Sequence, residues 1–229
     1  VLWPEIAAVG CAALIGAAGP WVIRRLPEPE DAPHDKRPYA QLGQVAWLWA
    51  ALALLAALLM APVAAWTHEP AALPTWALVA GVGAWLAYID ARTRLLPYLV
   101  VVPTYIAALA TLAICAVASR DARLVVDAVI ASAVVYLVFR VLFWLGERFF
   151  SSGLGYGDVR LGALLGLALG ALGASQVIVG VYAGFVLGAV LGVGLARFGL
   201  IDPRQYAFGP YLIVGAVIGA VWGPSVLTV

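Results

Sequence analysis

Two aspartates stand out by where they fall. Asp90 closes an apolar run in the string YID, and Asp158 follows three alternating glycines in SSGLGYGDVRL, residues 151–161. An ionisable residue at the edge of an apolar span is costly enough to mark a functional site. Two carboxylates that share a site cannot both ionise cheaply, so such a pair holds one proton between them. The ionised member draws a proton from water and the protonated member polarises a carbonyl, which is general acid–base hydrolysis without metal or cysteine. Gly153, Gly155 and Gly157 suit a backbone that comes close to another chain, here an extended substrate beside the acid. Each aspartate also has a plainer reading: Asp90 ends one helix, and Asp158 caps another further along the chain. Only a shared side of the membrane makes them a pair.

The elements that must position them follow from composition. The 229 residues are 65% hydrophobic and 11% charged, with a mean hydropathy of +1.02. Soluble domains carry about 25% charged residues. The expected fold is therefore an all-α, polytopic membrane bundle. A helix needs about 20 apolar residues to cross the hydrocarbon core, and eight candidate spans satisfy or approach this. They cover about residues 3–23, 45–65, 75–89, 98–118, 124–145, two within 161–196, and 211–228. The 36 apolar residues of 161–196 are too many for one span and predict a break near Gly173. Gly162, Gly166 and Gly170 recur at a spacing of four, as do Gly180, Gly184, Gly188 and Gly192, a pattern that favours close helix packing in lipid. Residues 1–74 read as an N-terminal transmembrane pair with a short polar loop, and residues 75–229 as a six-helix core. With no basic region ahead of its first apolar run, the chain is expected to retain that run as a span and not as a cleaved signal.

Lys and Arg accumulate in cytoplasmic loops. The loops after the odd-numbered spans hold Arg24, Arg25, Lys36, Arg37, Arg92, Arg94, Arg148, Arg160, Arg197 and Arg204, whereas the other set holds only Arg120 and Arg123. Both termini are then expected outside, with Asp90 and Asp158 both at the cytoplasmic boundary. Arg140 lies inside the fifth span, within reach of snorkelling. Asp127 falls at the opposite, outer interface.

Other chemistries find little support. The net charge is +1 and there is no basic tract, so nucleic acid is not an expected partner. The two cysteines, Cys11 and Cys115, sit in separate apolar runs without a CxxC and read as small buried hydrophobes. His34 and His68, the two histidines, fall on opposite sides in this topology, and no metal site is expected.

Three segments resemble the type IV prepilin peptidases, which are GxGD aspartic peptidases. IDARTRLLP, with Pro97 seven residues after Asp90, resembles their first catalytic segment; GLGYGDVRL resembles the second; and YAFGPYLIVGAVIG, residues 206–219, resembles the FGP motif that opens their last span. The resemblance implies a bacterial inner-membrane aspartic endopeptidase, with its active site at the cytoplasmic face, that cleaves the basic leader from pilin-like precursors. It implies Asp90 and Asp158 as the catalytic pair. Gly153, Gly155, Gly157, Pro97, Arg160, Phe208, Gly209 and Pro210 are then expected to line the substrate site, and membrane lipids to be further partners. Arg160 stands where the family usually has lysine, which keeps the charge and changes the geometry. Larger members carry a cytoplasmic domain with two CxxC pairs and also methylate the new N-terminus with S-adenosylmethionine. Here the corresponding loop, RRLPEPEDAPHDKRPYAQ, is short and free of cysteine. No cofactor is expected unless methylation is retained. Two rivals remain: a presenilin- or signal-peptide-peptidase-like protease, with acids deep in the spans, and a transporter-like protein with broken, glycine-rich helices.

Overall fold

The computed structural model describes residues 3–28, 37–149, 154–197 and 207–226. They form a bundle of α-helices with no strand among the described residues. In chain order these are α1 (Trp3–Ala17), α2 (Gly19–Ile23), α3 (Tyr39–Leu42), α4 (Leu48–Trp66), α5 (Leu73–Thr93), α6 (Tyr98–Ser119), α7 (Arg123–Phe149), α8 (Tyr156–Gly170), α9 (Ala174–Arg197) and α10 (Gly209–Val226). Among the described residues, seven segments are long and apolar enough to cross a membrane, with α1 and α2 together forming the first. The eighth, α8, has only 15 residues, 11 of them buried. Its shortness is tolerable because it lies inside the bundle and not against lipid.

Helix α5 is the centre. Fifteen of its 21 residues are buried, and it packs against α1, α4, α6, α8 and α10. A buried hydrogen bond ties it to α1, Trp85 Nε1–H to the Gly16 carbonyl at 3.0 Å. Another ties it to α8, Trp76 Nε1–H to the Ala168 carbonyl at 2.9 Å. Helix α7, by contrast, buries a single stripe, Leu124, Ala128, Ser132, Val135, Phe139 and Gly146. That spacing is one face of a helix, and the face is turned to α8. The remaining faces of α7 expose Val134, Leu137, Val141 and Trp144, as a lipid-facing helix must.

The glycine repeats define the two closest pairings. Along α8, added Cβ atoms at Gly162, Gly166 and Gly170 would press on Phe139, Val135 and Ala131 of α7. Between α9 and α10 the backbones themselves touch: a Cβ at Gly219 would lie 2.4 Å from the Gln176 carbonyl oxygen and 2.5 Å from Gly180 Cα. Gly219→Ala is thus expected to force these helices apart and cost roughly 1–3 kcal/mol, the usual range for overpacking. Thermal unfolding in detergent should show a lowered midpoint, whereas Gly10→Ala, with open space around it, should not.

The predicted break near Gly173 is present. Helix α8 stops at Gly170 and α9 begins at Ala174, with Gly173 at φ +135° between them. Two details differ from the sequence reading. The third span, expected to end at Ile89, continues to Thr93, so Asp90 lies within the helix and not after it. The extension is held by the Thr93 hydroxyl, which donates to the Ile89 carbonyl at 2.8 Å, and by Arg94 in the left-handed region, whose N–H bonds the Asp90 carbonyl at 2.7 Å. Cys11 is exposed and Cys115 only half-buried, because α1 and α6 are peripheral and turn part of their surface outward.

Candidate active site

The last turn of α5 and the first turn of α8 lie side by side and carry the two acids. Asp90 is 4% exposed and Asp158 8%, and they are close enough for the charge of Asp90 to act on Asp158. Among the described residues, each is held through one carboxylate oxygen. Asp158 Oδ2 accepts the N–H of Gly155, the N-cap of its own helix, at 3.1 Å. In return the Asp158 amide bonds the Gly155 carbonyl at 3.0 Å. Asp90 Oδ2 accepts the N–H of Gly209 at 2.8 Å. Both donors are N-terminal backbone amides left without intrahelical partners, and the helix dipole suits them to a carboxylate. Asp158 Oδ1 is buried with no hydrogen-bonding partner among the described residues. One oxygen of that carboxylate is thus fixed and the other is available to a reactant.

The glycines are positioned by contact. A Cβ at Gly209 would sit 2.8 Å from Asp90 Oδ2, so a side chain there is incompatible with the observed hydrogen bond. A Cβ at Gly157 would meet Leu96 Cβ at 2.8 Å; this is where the loop after α5 rests on the start of α8. Pro97 is the N-cap of α6 and turns the chain at that point. Phe208, just ahead of α10, packs on Gly188 of α9 and stacks on Phe185 at 5.4 Å, which in turn lies 5.2 Å from Phe139. Pro210 falls in the first turn of α10, where its missing N–H costs nothing. Gly155 is exposed beside Asp158. Gly153 lies outside the described residues.

Arg160 sits two residues beyond Asp158 but does not join the acids. Its guanidinium stacks on Tyr156 at 4.6 Å and reaches Tyr98 at 5.9 Å, on the α6 and α7 side of α8.

Tyr39 of α3 has no counterpart among the sequence expectations. It is fully buried, its N–H bonds the Glu28 carboxylate, and its hydroxyl is placed against Thr93, one turn from Asp90. Burial, with the Glu28 charge second, pushes that hydroxyl up to about 12, so it stays protonated. Tyr88 Oη–H bonds the Leu42 carbonyl at 3.2 Å and holds α3 to the end of α5. The signal was an aromatic inside a polar, proline-rich loop.

Comparison with known proteins bears on the pair of acids. The model of the type IV leader peptidase family matches residues 76–193, a stretch that contains both Asp90 and Asp158. The chain belongs to this family. Relatives similar to it include a protein named prepilin leader peptidase/N-methyltransferase from Aeromonas hydrophila, 32% identical over 82% of this chain and 60% of the relative. A protein of the same name from Pseudomonas aeruginosa is 31% identical over 70% of this chain and 52% of the relative. One from Pseudomonas putida is 37% identical over 44% of this chain. This leader-peptidase-family chain spans about three-fifths of the A. hydrophila relative. No solved structure matches it. Its membrane-spanning helices and bacterial relatives make it a bacterial membrane protein.

Proposed function

We propose that this chain is a membrane aspartic endopeptidase that cuts the leader peptide from type IV pilin-like precursors at the cytoplasmic face of the bacterial inner membrane. The observation that carries the reading is the Asp90–Asp158 pair. It consists of two buried carboxylates at one end of the bundle, each anchored through a single oxygen, in a chain of the leader peptidase family. The arginine and lysine excess in the sequence of the loops that follow the odd-numbered spans supports a cytoplasmic active site and termini outside.

In the reaction the pair holds one proton. The ionised carboxylate removes a proton from water as the water oxygen attacks the scissile carbonyl carbon. The protonated carboxyl gives its proton to the carbonyl oxygen, and a tetrahedral diol forms. As the diol collapses the C–N bond breaks, the leaving amine takes up the proton that came from water, and a diol hydroxyl gives its proton to the other carboxylate, so that the pair again holds one. The burial of both groups keeps bulk water from screening these charges. Each acid lies in a terminal turn of its helix, which favours a cut at the membrane boundary over one in mid-helix.

No S-adenosylmethionine site is proposed. The cleft next to Asp158's helix presents the guanidinium of Arg160, which opposes a sulfonium cation. The proposal therefore covers hydrolysis alone.

The test is incubation of the purified full chain with a full-length pilin-like precursor, followed by mass spectrometry of the products. One cut at the junction of leader and apolar segment is expected. A cut within the apolar segment, or none, overturns the reading; in a second incubation with S-adenosylmethionine added, a mass increment of one methyl on the product would place methylation beside it.

A further inference from the structure

Helix α8 carries a second constellation on the side away from the acids. Successive helical residues turn by about 100°, so Arg160 points roughly 200° around from Asp158. Arg140 of α7 approaches the same aromatic from its own helix. Its guanidinium lies 5.7 Å from the Tyr156 ring and 5.4 Å from Phe143, while Arg160 is 4.6 Å from Tyr156. The Tyr136 and Tyr156 hydroxyls are 3.4 Å apart, and both guanidiniums act on the Tyr136 phenol. Neither arginine forms an ion pair with a carboxylate among the described residues. Two cations and two phenols thus converge at one end of the bundle.

A cleft of about 340 Å³ between α6, α7 and α8 runs from this cluster. Such a volume falls within the usual range of ligand sites, about 300–1,000 Å³. Its walls include Val102, Val129, Ala133 and Ala163. The hydroxyls inside it are already occupied: Ser132 Oγ–H bonds the Ala163 carbonyl at 2.9 Å, and Tyr105 Oη is 3.0 Å from Ser132 Oγ. What the cleft offers is therefore apolar. From Tyr136 to Val129 it descends seven residues along α7, about 10 Å at helical rise. Val102 is 41% exposed and Val129 40%, so it opens sideways, through the face that meets lipid. An occupant must enter from the bilayer, be apolar along its body, and carry an anion at its head.

We propose that the cleft is a binding site for an anionic phospholipid, its phosphate held by Arg140 and Arg160 across Tyr156 and an acyl chain lying along Val129, Ala133 and Ala163. Guanidinium suits phosphate through its paired donors. A peptide stretched over Asp90 and Asp158 lies on the opposite side of α8 and does not reach these cations. The bound headgroup bridges α7 and α8, and so steadies the turn that carries Asp158.

The test is native mass spectrometry of the purified full chain carrying Asp90→Asn, so that no turnover is needed and the outcome is separable from the peptidase reading. Phosphatidylglycerol and phosphatidylcholine of identical acyl chains are offered in equal amounts. A preference for phosphatidylglycerol of about tenfold is expected, the equivalent of 1.4 kcal/mol. Arg140→Gln with Arg160→Gln should abolish the preference. Ala133→Phe, which fills the cleft and leaves both arginines, should weaken retention of either lipid. Equal retention by the parent chain overturns the proposal, as does a preference that survives the double substitution. A double variant that keeps its lipid preference and loses affinity for a precursor would assign the cluster to a peptide instead.

Discussion

Asp90→Asn and Asp158→Asn are each expected to lower the cleavage rate by about 10²–10⁴-fold, the usual worth of a positioned acid or base. Neither should unfold the protein. Asparagine matches aspartate in size, and its carbonyl oxygen still accepts the Gly155 or Gly209 N–H that Oδ2 accepts now. Removing a buried charge also removes its desolvation cost. The double variant should be no slower than the worse single one, because a pair that shares one proton works as a unit. The measurement is the initial rate of precursor cleavage by purified variants, alongside their thermal unfolding midpoints. A single variant that is folded and cleaves at the wild-type rate removes that aspartate from the mechanism. A rate that falls together with the unfolding midpoint would make the acid structural.

The parts of this site that could be read from sequence are those with local signatures. The glycines at 162, 166 and 170 announce their packing face by their spacing, and the structure lays α7 along it. Asp158 was legible because charge after GLGYG interrupts an apolar chain. Its N-cap partner Gly155 lies three residues away. Other parts carry no local mark. The Asp90–Gly209 hydrogen bond joins residues 119 positions apart, and its donor is a backbone N–H that any residue but proline supplies. The FGP segment brings Gly209 to the site as a substrate contact, and only the crowding at its Cα shows it as the donor to Asp90. Tyr39 was hidden differently: the hydropathy of RRLPEPEDAPHDKRPYAQ reads as an exposed loop, yet the end of that loop folds back and buries its tyrosine beneath Asp90's helix end. Arg160 shows the limit of linear proximity. Two positions from an acid in sequence is nearly the opposite face in a helix.

Gly209→Ala should separate an orienting role from a substrate-binding one. The added Cβ would fall 2.8 Å from Asp90 Oδ2 and 3.3 Å from its Cγ, well inside van der Waals contact. Two relaxations are open. The start of α10 withdraws, breaking the 2.8 Å hydrogen bond, or Asp90 rotates away from Asp158. Either leaves a buried carboxylate without its donor, a loss of about 1.5–3 kcal/mol for a hydrogen bond to a charged group. If Gly209 orients Asp90, kcat falls by about tenfold or more with KM unchanged, since the interaction lost is one that serves the reacting groups. If Gly209 instead lines the path of the precursor, KM rises and kcat holds. Pro210→Ala is the matched control, one residue on, in the first turn of α10 and at a position where a helix tolerates either residue; it should change neither constant by more than a few-fold. A Gly209→Ala variant with wild-type kcat and KM would show that Asp90 keeps its working position without this amide, and that the start of α10 is a support for the fold alone.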